Sequence, residues 1–298
     1  MRNAFITQLI EEARKDEKIF LIVGDLGFSV VEPFQNEFPD RFLNAGIAEQ
    51  NMTGIATGLA KEGYTVFTYS IGNFPTLRCM EQIRYDVCYH EANVKIIAVG
   101  GGFAYGPLGT SHHATEELGM LRVIPNLTVC AAGDPMEAKR ITSMFVHKTG
   151  PCYLRLGKSV EAVVHQSLQN FEWGKMICVQ KGVDTALLAS GSILKYAYDW
   201  ISGARNGWGL YSAPFLKPMD FDSLTYIANH FDKIITIEEH QKSGGFGSAV
   251  LEGLSDLVEQ KKIEKIPNLK RIAIPDRFYN VAGDQEYLRN LSNLVIES

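Results

Sequence analysis

Long apolar runs, paired cysteines and basic blocks are all missing from this 298-residue sequence, and each absence removes a class of function. No segment approaches the roughly 20 apolar residues needed to cross a bilayer. The opening stretch MRNAFITQLIEEARKDEK lacks the apolar centre of a secretory signal, so neither insertion nor export is expected. Cys79, Cys88, Cys130, Cys152 and Cys178 are odd in number, fall mostly in apolar segments and form no CxxC pair. That pattern argues for a reducing, cytoplasmic setting. With 29 basic against 34 acidic residues and no cationic cluster, the chain carries no electrostatic footprint for nucleic acid or an anionic membrane. Several catalytic signatures are absent too. Neither GxGxxG nor GxxxxGK[ST] occurs, GGG at 100–102 reads as a turn, and there is no GxSxG elbow. His112 and His113 are adjacent without an HExxH or Cys/His array, so no protein-only metal site is expected.

What is present is an ordinary apolar content of 46% and a repeated alternation of helical and strand patterns. Phe5, Ile6, Leu9, Ile10 and Ala13 recur at helical spacing, and FLIVGDL at 20–26 is a short buried strand ending in glycine and acid. A small-residue helix over 48–63, the strand TVFTYSI, a helix at 76–90 and the strand VKIIAVGG at 94–101 follow. A helix at 114–124, LTVCAAG, a helix at 135–148 and CYLRLG complete the first unit. The alternation restarts with strands near 185–190, 208–213, 233–238 and 271–274 and helices near 193–205, 220–231 and 246–260. The expected fold is two-domain α/β. Residues 1–160 form a parallel-sheet domain, 161–183 a linker, and 184–298 a smaller α/β domain.

Glu49 stands at the start of the helix in NAGIAEQNMTGIATGLA, where the positive end of the helix dipole favours a carboxylate. Taken alone it reads as a capping residue. The wider pattern adds more: GIAEQNM followed by GLA, LRCMEQIR at 77–84, GTSHHATEELGMLRVIPNLTV at 109–129 and CYLRLGK at 152–158. In that order and spacing they resemble the pyrimidine-binding domain of transketolases. ITIEEHQKSGGFGSAV at 235–250 is similar to a segment of the transketolase C-terminal domain. The GDG…N motif that holds the cofactor diphosphate and its metal in full-length transketolases has no counterpart, because neither GDLG at Asp25 nor GDPM at Asp134 continues it. The resemblance is therefore to the C-terminal subunit of a split transketolase.

That resemblance implies a fold, a cofactor and a set of roles. The fold is the thiamine-diphosphate-binding pyrimidine domain followed by a transketolase C-terminal-like domain. Glu49 matches the glutamate that meets N1′ of the aminopyrimidine of thiamine diphosphate. The family's stacking aromatics fall at Pro75 and Gly72 here, so Phe74, with Tyr69 next, is the expected substitute. Asp25 matches an acid near the thiazolium and Arg78 the arginine beside the pyrimidine. His112 is expected as a catalytic residue and, with Arg2, Ser29 and Arg155, as a ligand of the substrate phosphate. Glu238, Glu239 and His240 read as structural, and Gly244, Gly245 and Gly247 as a tight turn into the next helix.

The resemblance implies ketol transfer from a ketose, expected to be phosphorylated, to an aldose. A separate N-terminal subunit would supply the diphosphate site and its Mg2+ or Ca2+, in an α2β2 assembly built on a dimer of this chain. Competing readings are the β-type subunit of a 2-oxo acid dehydrogenase and a non-catalytic partner subunit of the same fold. Synthesis of 1-deoxyxylulose-5-phosphate is a further reading, disfavoured by chain length.

Overall fold

The computed structural model describes residues 1–158, 161–168, 170–203 and 207–296. Residues 159–160 and 169 of the expected junction, 204–205 of the expected helix at 193–205, and 297–298 lie outside the described residues. The N-terminal unit runs α1 (Arg2–Ala13), β1 (Ile19–Val23), α2 (Glu32–Glu37), β2 (Phe42–Asn44), α3 (Glu49–Lys61) and β3 (Thr65–Ile71). It continues through β4 (Val94–Val99), α4 (Glu117–Arg122), β5 (Thr128–Ala131), α5 (Pro135–His147) and β6 (Cys152–Leu156). The C-terminal unit holds β7 (Ile177–Gln180), β8 (Thr185–Ser190), α6 (Leu194–Ser202), β9 (Trp208–Ser212), β10 (Phe215–Lys217) and α7 (Phe221–His230). It ends with β11 (Lys233–Gln241), α8 (Phe246–Glu259), β12 (Asn268–Ile274) and α9 (Gln285–Leu291).

Helix starts follow local chemistry. Asp134 caps α5 by accepting the Glu137 N–H, with Pro135 at the first turn, and Asp220 and Asp284 cap α7 and α9 in the same way. Gly63, at φ +89°, closes the turn after α3 where an L side chain would be strained. The expected helix over 76–90 is instead a 3₁₀ turn at Leu77–Cys79 and a π-helical stretch at Gln82–Tyr89.

The first sheet has the order β10-β5-β6-β4-β3-β1-β2 and is parallel except for β10, which lies antiparallel to β5. Strands β3, β4 and β6 are buried on both faces, and successive residues alternate between two helical layers. Val66 and Ile96 pack towards α3 with Met52 and Ala56, while Phe67 and Ile97 pack towards α1 and α5 with Phe5, Ile141 and Phe145. Full burial of each such side chain contributes about 1.5–3 kcal/mol. The second sheet, β12-β11-β8-β9-β7, is parallel except at the β7–β9 pair.

The two units interlock. β7 lies inside the expected linker yet belongs to the second sheet, and β10 follows the second unit's third strand yet extends the first sheet. An apolar cluster runs from Val129 and Ala131 through Leu216 to Ala186, Leu188 and Phe246. A buried polar knot reinforces the seam. Glu137 Oε1 meets His165 Nε2 at 2.7 Å and accepts Ser212 Oγ at 2.5 Å, while Asp134 Oδ2 accepts the N–H groups of Val164 and His165.

Candidate functional site

The parallel strands of the first sheet end on one edge, and β1 pairs with β2 on one side and β3 on the other. The chain leaves β1 towards β2 and leaves β3 towards β4, so the connections from these adjacent strands diverge there, which opens the kind of crevice in which α/β proteins bind ligands. Gly24 follows β1 at that point, and a Cβ on it would sit 3.4 Å from Ser70 Oγ and 3.7 Å from Glu49 Cγ. Glu49 begins α3 and is only 1% exposed. Its Oε2 accepts Arg78 Nη1 at 2.7 Å, and its Oε1 has no hydrogen-bond partner among the described residues.

From Glu49 a continuous row of contacts follows the edge of the sheet. The half-exposed Arg78 guanidinium lies 5.0 Å from the centre of the Phe74 ring. Phe74 meets His112 edge to face with centroids 5.2 Å apart, and His112 Nδ1 is 3.0 Å from Ser111 Oγ. Tyr105 lies 6.4 Å beyond His112, and Lys158 Nζ sits 4.7 Å over the Tyr105 ring. Arg2, the first residue of α1, places its charge near the phenols of Tyr69 and Tyr105; burial pushes both phenols up, and Arg2 opposes that.

Asp25 holds a left-handed φ of +53°, a conformation that most L residues avoid and that aspartate enters when its side chain is hydrogen-bonded locally. Asn44 compensates: its Oδ1 accepts the Asp25 N–H and its Nδ2 donates to Asp25 Oδ1, each at 3.0 Å. Asn44 thus fixes Asp25 beside the crevice, a role unsuspected from sequence. Ser29 is exposed at φ +65°, with its N–H on Glu32 Oε1 at 2.7 Å.

Two expected residues stand elsewhere. Tyr69 is 1% exposed and stacks on Phe5 inside the core, centroids 5.8 Å apart, so it presents no face to a ligand. Arg155 is 7% exposed and internally committed. Its Nη2 donates to Ala114 O at 3.0 Å and Glu239 O at 2.7 Å, and its Nε lies 3.4 Å from Glu117 Oε1. Nη2 and Nε are thus committed to protein groups, and Nη1 has no hydrogen-bond partner among the described residues. Lys158, three residues on and past the end of β6, is the cation that reaches the row. The sequence signal for it was its place after a strand's carboxyl end in RLGK.

The IEEH acids and histidine are engaged by the main chain. Glu238 accepts the N–H groups of Phe246 and Gly247 at the start of α8, at 2.5 and 2.7 Å. Burial pushes its carboxyl up to about 7 against those donors. His240 accepts the Gly119 N–H on Nε2 and faces Gln241 O through Nδ1, and burial pulls its imidazole down to about 4. Asp134, Glu137 and His165 have the spacing of a metal group, but protein donors already fill their carboxylates.

Fold and crevice define an α/β domain with a ligand-sized cleft at its strand ends, joined to a second α/β domain. Comparison with known proteins agrees. The family model "Transketolase, pyrimidine binding domain" matches residues 1–161, and "Transketolase, C-terminal domain" matches 174–288. An apulose-4-phosphate transketolase subunit of Actinobacillus succinogenes is 31% identical over all of this chain and 95% of its own length. The 6-deoxy-6-sulfo-D-fructose transketolase subunit SqwH of Clostridium sp. is 29% identical over 99% of this chain and 90% of its own. A solved structure described as a split gene transketolase, inactive beta4 tetramer, superposes with TM-score 0.85 at 32% identity, covering 98% of this chain and 93% of that one. The chain belongs to the transketolase family, with the two-domain make-up of the C-terminal subunit of its split members.

Proposed function

We propose that this chain is the C-terminal subunit of a thiamine-diphosphate-dependent transketolase that moves a two-carbon ketol unit from a phosphorylated ketose to an aldose in the cytoplasm. It works with a separate N-terminal subunit that holds the diphosphate and its Mg2+ or Ca2+. The observation that carries the reading is the buried Glu49 at the crevice between β1 and β3, whose Oε2 accepts Arg78 and whose Oε1 has no hydrogen-bond partner among the described residues.

That carboxyl and the adjoining Phe74 ring suit a flat, protonatable heteroaromatic: an acid for a ring nitrogen and an aromatic face for stacking. When bound, thiamine diphosphate supplies the nucleophilic carbon of the reaction. Glu49 holds a proton at N1′ of the pyrimidine, Phe74 orients the ring and excludes water, and Arg78 balances the Glu49 charge. Asp25, locked by Asn44, would hold the thiazolium end of the cofactor, as the resemblance implies. Lys158 and Arg2, with Ser29 and His112, bind the phosphate of the sugar, while Arg155 braces the loop that carries His112. Acidic substrate ends fit the relatives, one named for a sugar phosphate and one for a sulfonated sugar. Gly54 and Gly58 leave open space along α3, a face suited to close packing against a second copy and thus to an α2β2 enzyme.

The test mixes this chain with its N-terminal partner and measures ketol transfer beside pyruvate decarboxylation. Ketol transfer alone supports the proposal, pyruvate decarboxylation points to the dehydrogenase reading, and silence in both to a non-catalytic partner. Lys158→Met should raise KM for a phosphorylated ketose by about tenfold or more, the scale of a lost charged hydrogen bond, and leave an unphosphorylated ketose unaffected.

A further inference from the structure

The segment that carries His112 is anchored to the C-terminal domain along its length. Thr110 Oγ1 donates to Tyr279 O at 2.6 Å, and Gln241 N–H donates to Thr115 O at 2.8 Å. Ala114 O accepts Arg155 Nη2, which also donates to Glu239 O. Glu239 Oε1 accepts the Phe103 N–H at 2.5 Å, and its carboxylate is held from behind by Gln285 at 3.0 Å and Arg289 Nε at 2.6 Å. An antiparallel bridge between Gly102 and Ala114 closes the loop. The fit leaves no slack: a Cβ at Gly101 would lie 1.6 Å from Arg155 Nε, and one at Gly102 would lie 2.5 Å from Glu239 Oε1.

The loop has little to hold it otherwise. It consists of two 3₁₀ turns, Gly106–Leu108 and Thr110–His112, too short to persist alone, and Leu108, Thr110 and Ser111 are exposed. We infer that Arg155, Glu239 and Arg289 are positioning residues through which the C-terminal domain sets the placement of His112 beside the crevice. This rests on the functional reading above and gives the C-terminal domain a part in the reaction without touching substrate. Arg289 acts at a distance: it holds the carboxylate that holds Phe103 and, through the Glu239 backbone, shares Arg155 with the loop.

Two mild variants test the inference in the assembled enzyme. Thr110→Val removes one exposed hydroxyl anchor, and Arg289→Met releases Glu239 from a helix that does not touch His112. Each should speed amide hydrogen exchange across residues 103–114 and raise KM for the phosphorylated ketose by about three- to tenfold, the scale of one lost hydrogen bond. Cofactor affinity should stay unchanged, and Thr110→Ser should restore the wild-type values. Unchanged exchange and unchanged KM in both variants would overturn the inference. If the wild-type complex shows no ketol transfer, the functional reading fails, while the exchange measurement still decides whether the C-terminal domain holds the loop.

Discussion

Glu238 and His240 lie side by side in β11, their Oε2 and Nδ1 atoms 4.0 Å apart, and burial drives their protons in opposite senses. Glu238 rises from an ordinary 4.5 to about 7, and His240 falls from 6.5 to about 4, with the Arg155 charge adding to the fall. Between pH 4.5 and 7 native Glu238 keeps a proton that the unfolded chain has released, so its contribution to stability falls as pH rises. At about 1.4 kcal/mol per pH unit the full effect is about 3 kcal/mol. Between pH 4 and 6.5 the unfolded chain takes up a proton that native His240 refuses, so its contribution rises with pH by a similar amount. The two nearly cancel in the wild type. His240→Gln should expose the Glu238 slope, with stability falling from pH 4.5 to 7, and Glu238→Gln should expose the opposite slope below pH 6.5. Urea midpoints measured against pH for wild type and each variant isolate the effect, since every other titrating group drops out of the difference. Parallel profiles in all three proteins would refute the assignment.

Other substitutions separate core from site. Tyr69→Phe removes a buried hydroxyl that lies beside the Arg2 charge, and thermal unfolding should show a change of about 1 kcal/mol or less, with cofactor binding unchanged. Phe74→Leu should weaken cofactor binding by up to about tenfold in calorimetry, as expected for one lost ring contact, without loss of fold. His165→Leu leaves Glu137 buried without its ring partner, and thermal unfolding should show a loss of about 3–5 kcal/mol.

Much of the fold was legible because fully buried strands and amphipathic helices announce themselves locally: Thr65–Ile71 and Thr185–Ser190 stand where their apolar runs place them. β10 was not, since three residues whose partner is Cys130 and Val129 carry no local signal of a pairing across domains. The π-helical stretch escaped a reading tuned to a period of 3.6. At the site, the resemblance pointed to Glu49, Phe74 and His112, which follow β2, β3 and β4 and so meet at neighbouring strand ends. For Arg155, the sequence held no sign that Nη2 would bridge Ala114 O and Glu239 O of β11, because its place in β6 says nothing of which element packs over it. Lys158 escaped because a lysine past a strand end looks like a solvated charge until Tyr105 and His112 are placed beside it.

Glu49→Gln in the assembled two-subunit enzyme tests the central claim most directly. The half-exposed partner Arg78 keeps the stability cost to about 1 kcal/mol or less, so lost activity cannot be charged to unfolding. Ketol transfer should fall by about 100-fold or more, the scale of a removed acid–base group, with the complex intact. A variant that stays assembled and transfers the ketol unit at the wild-type rate would contradict the account.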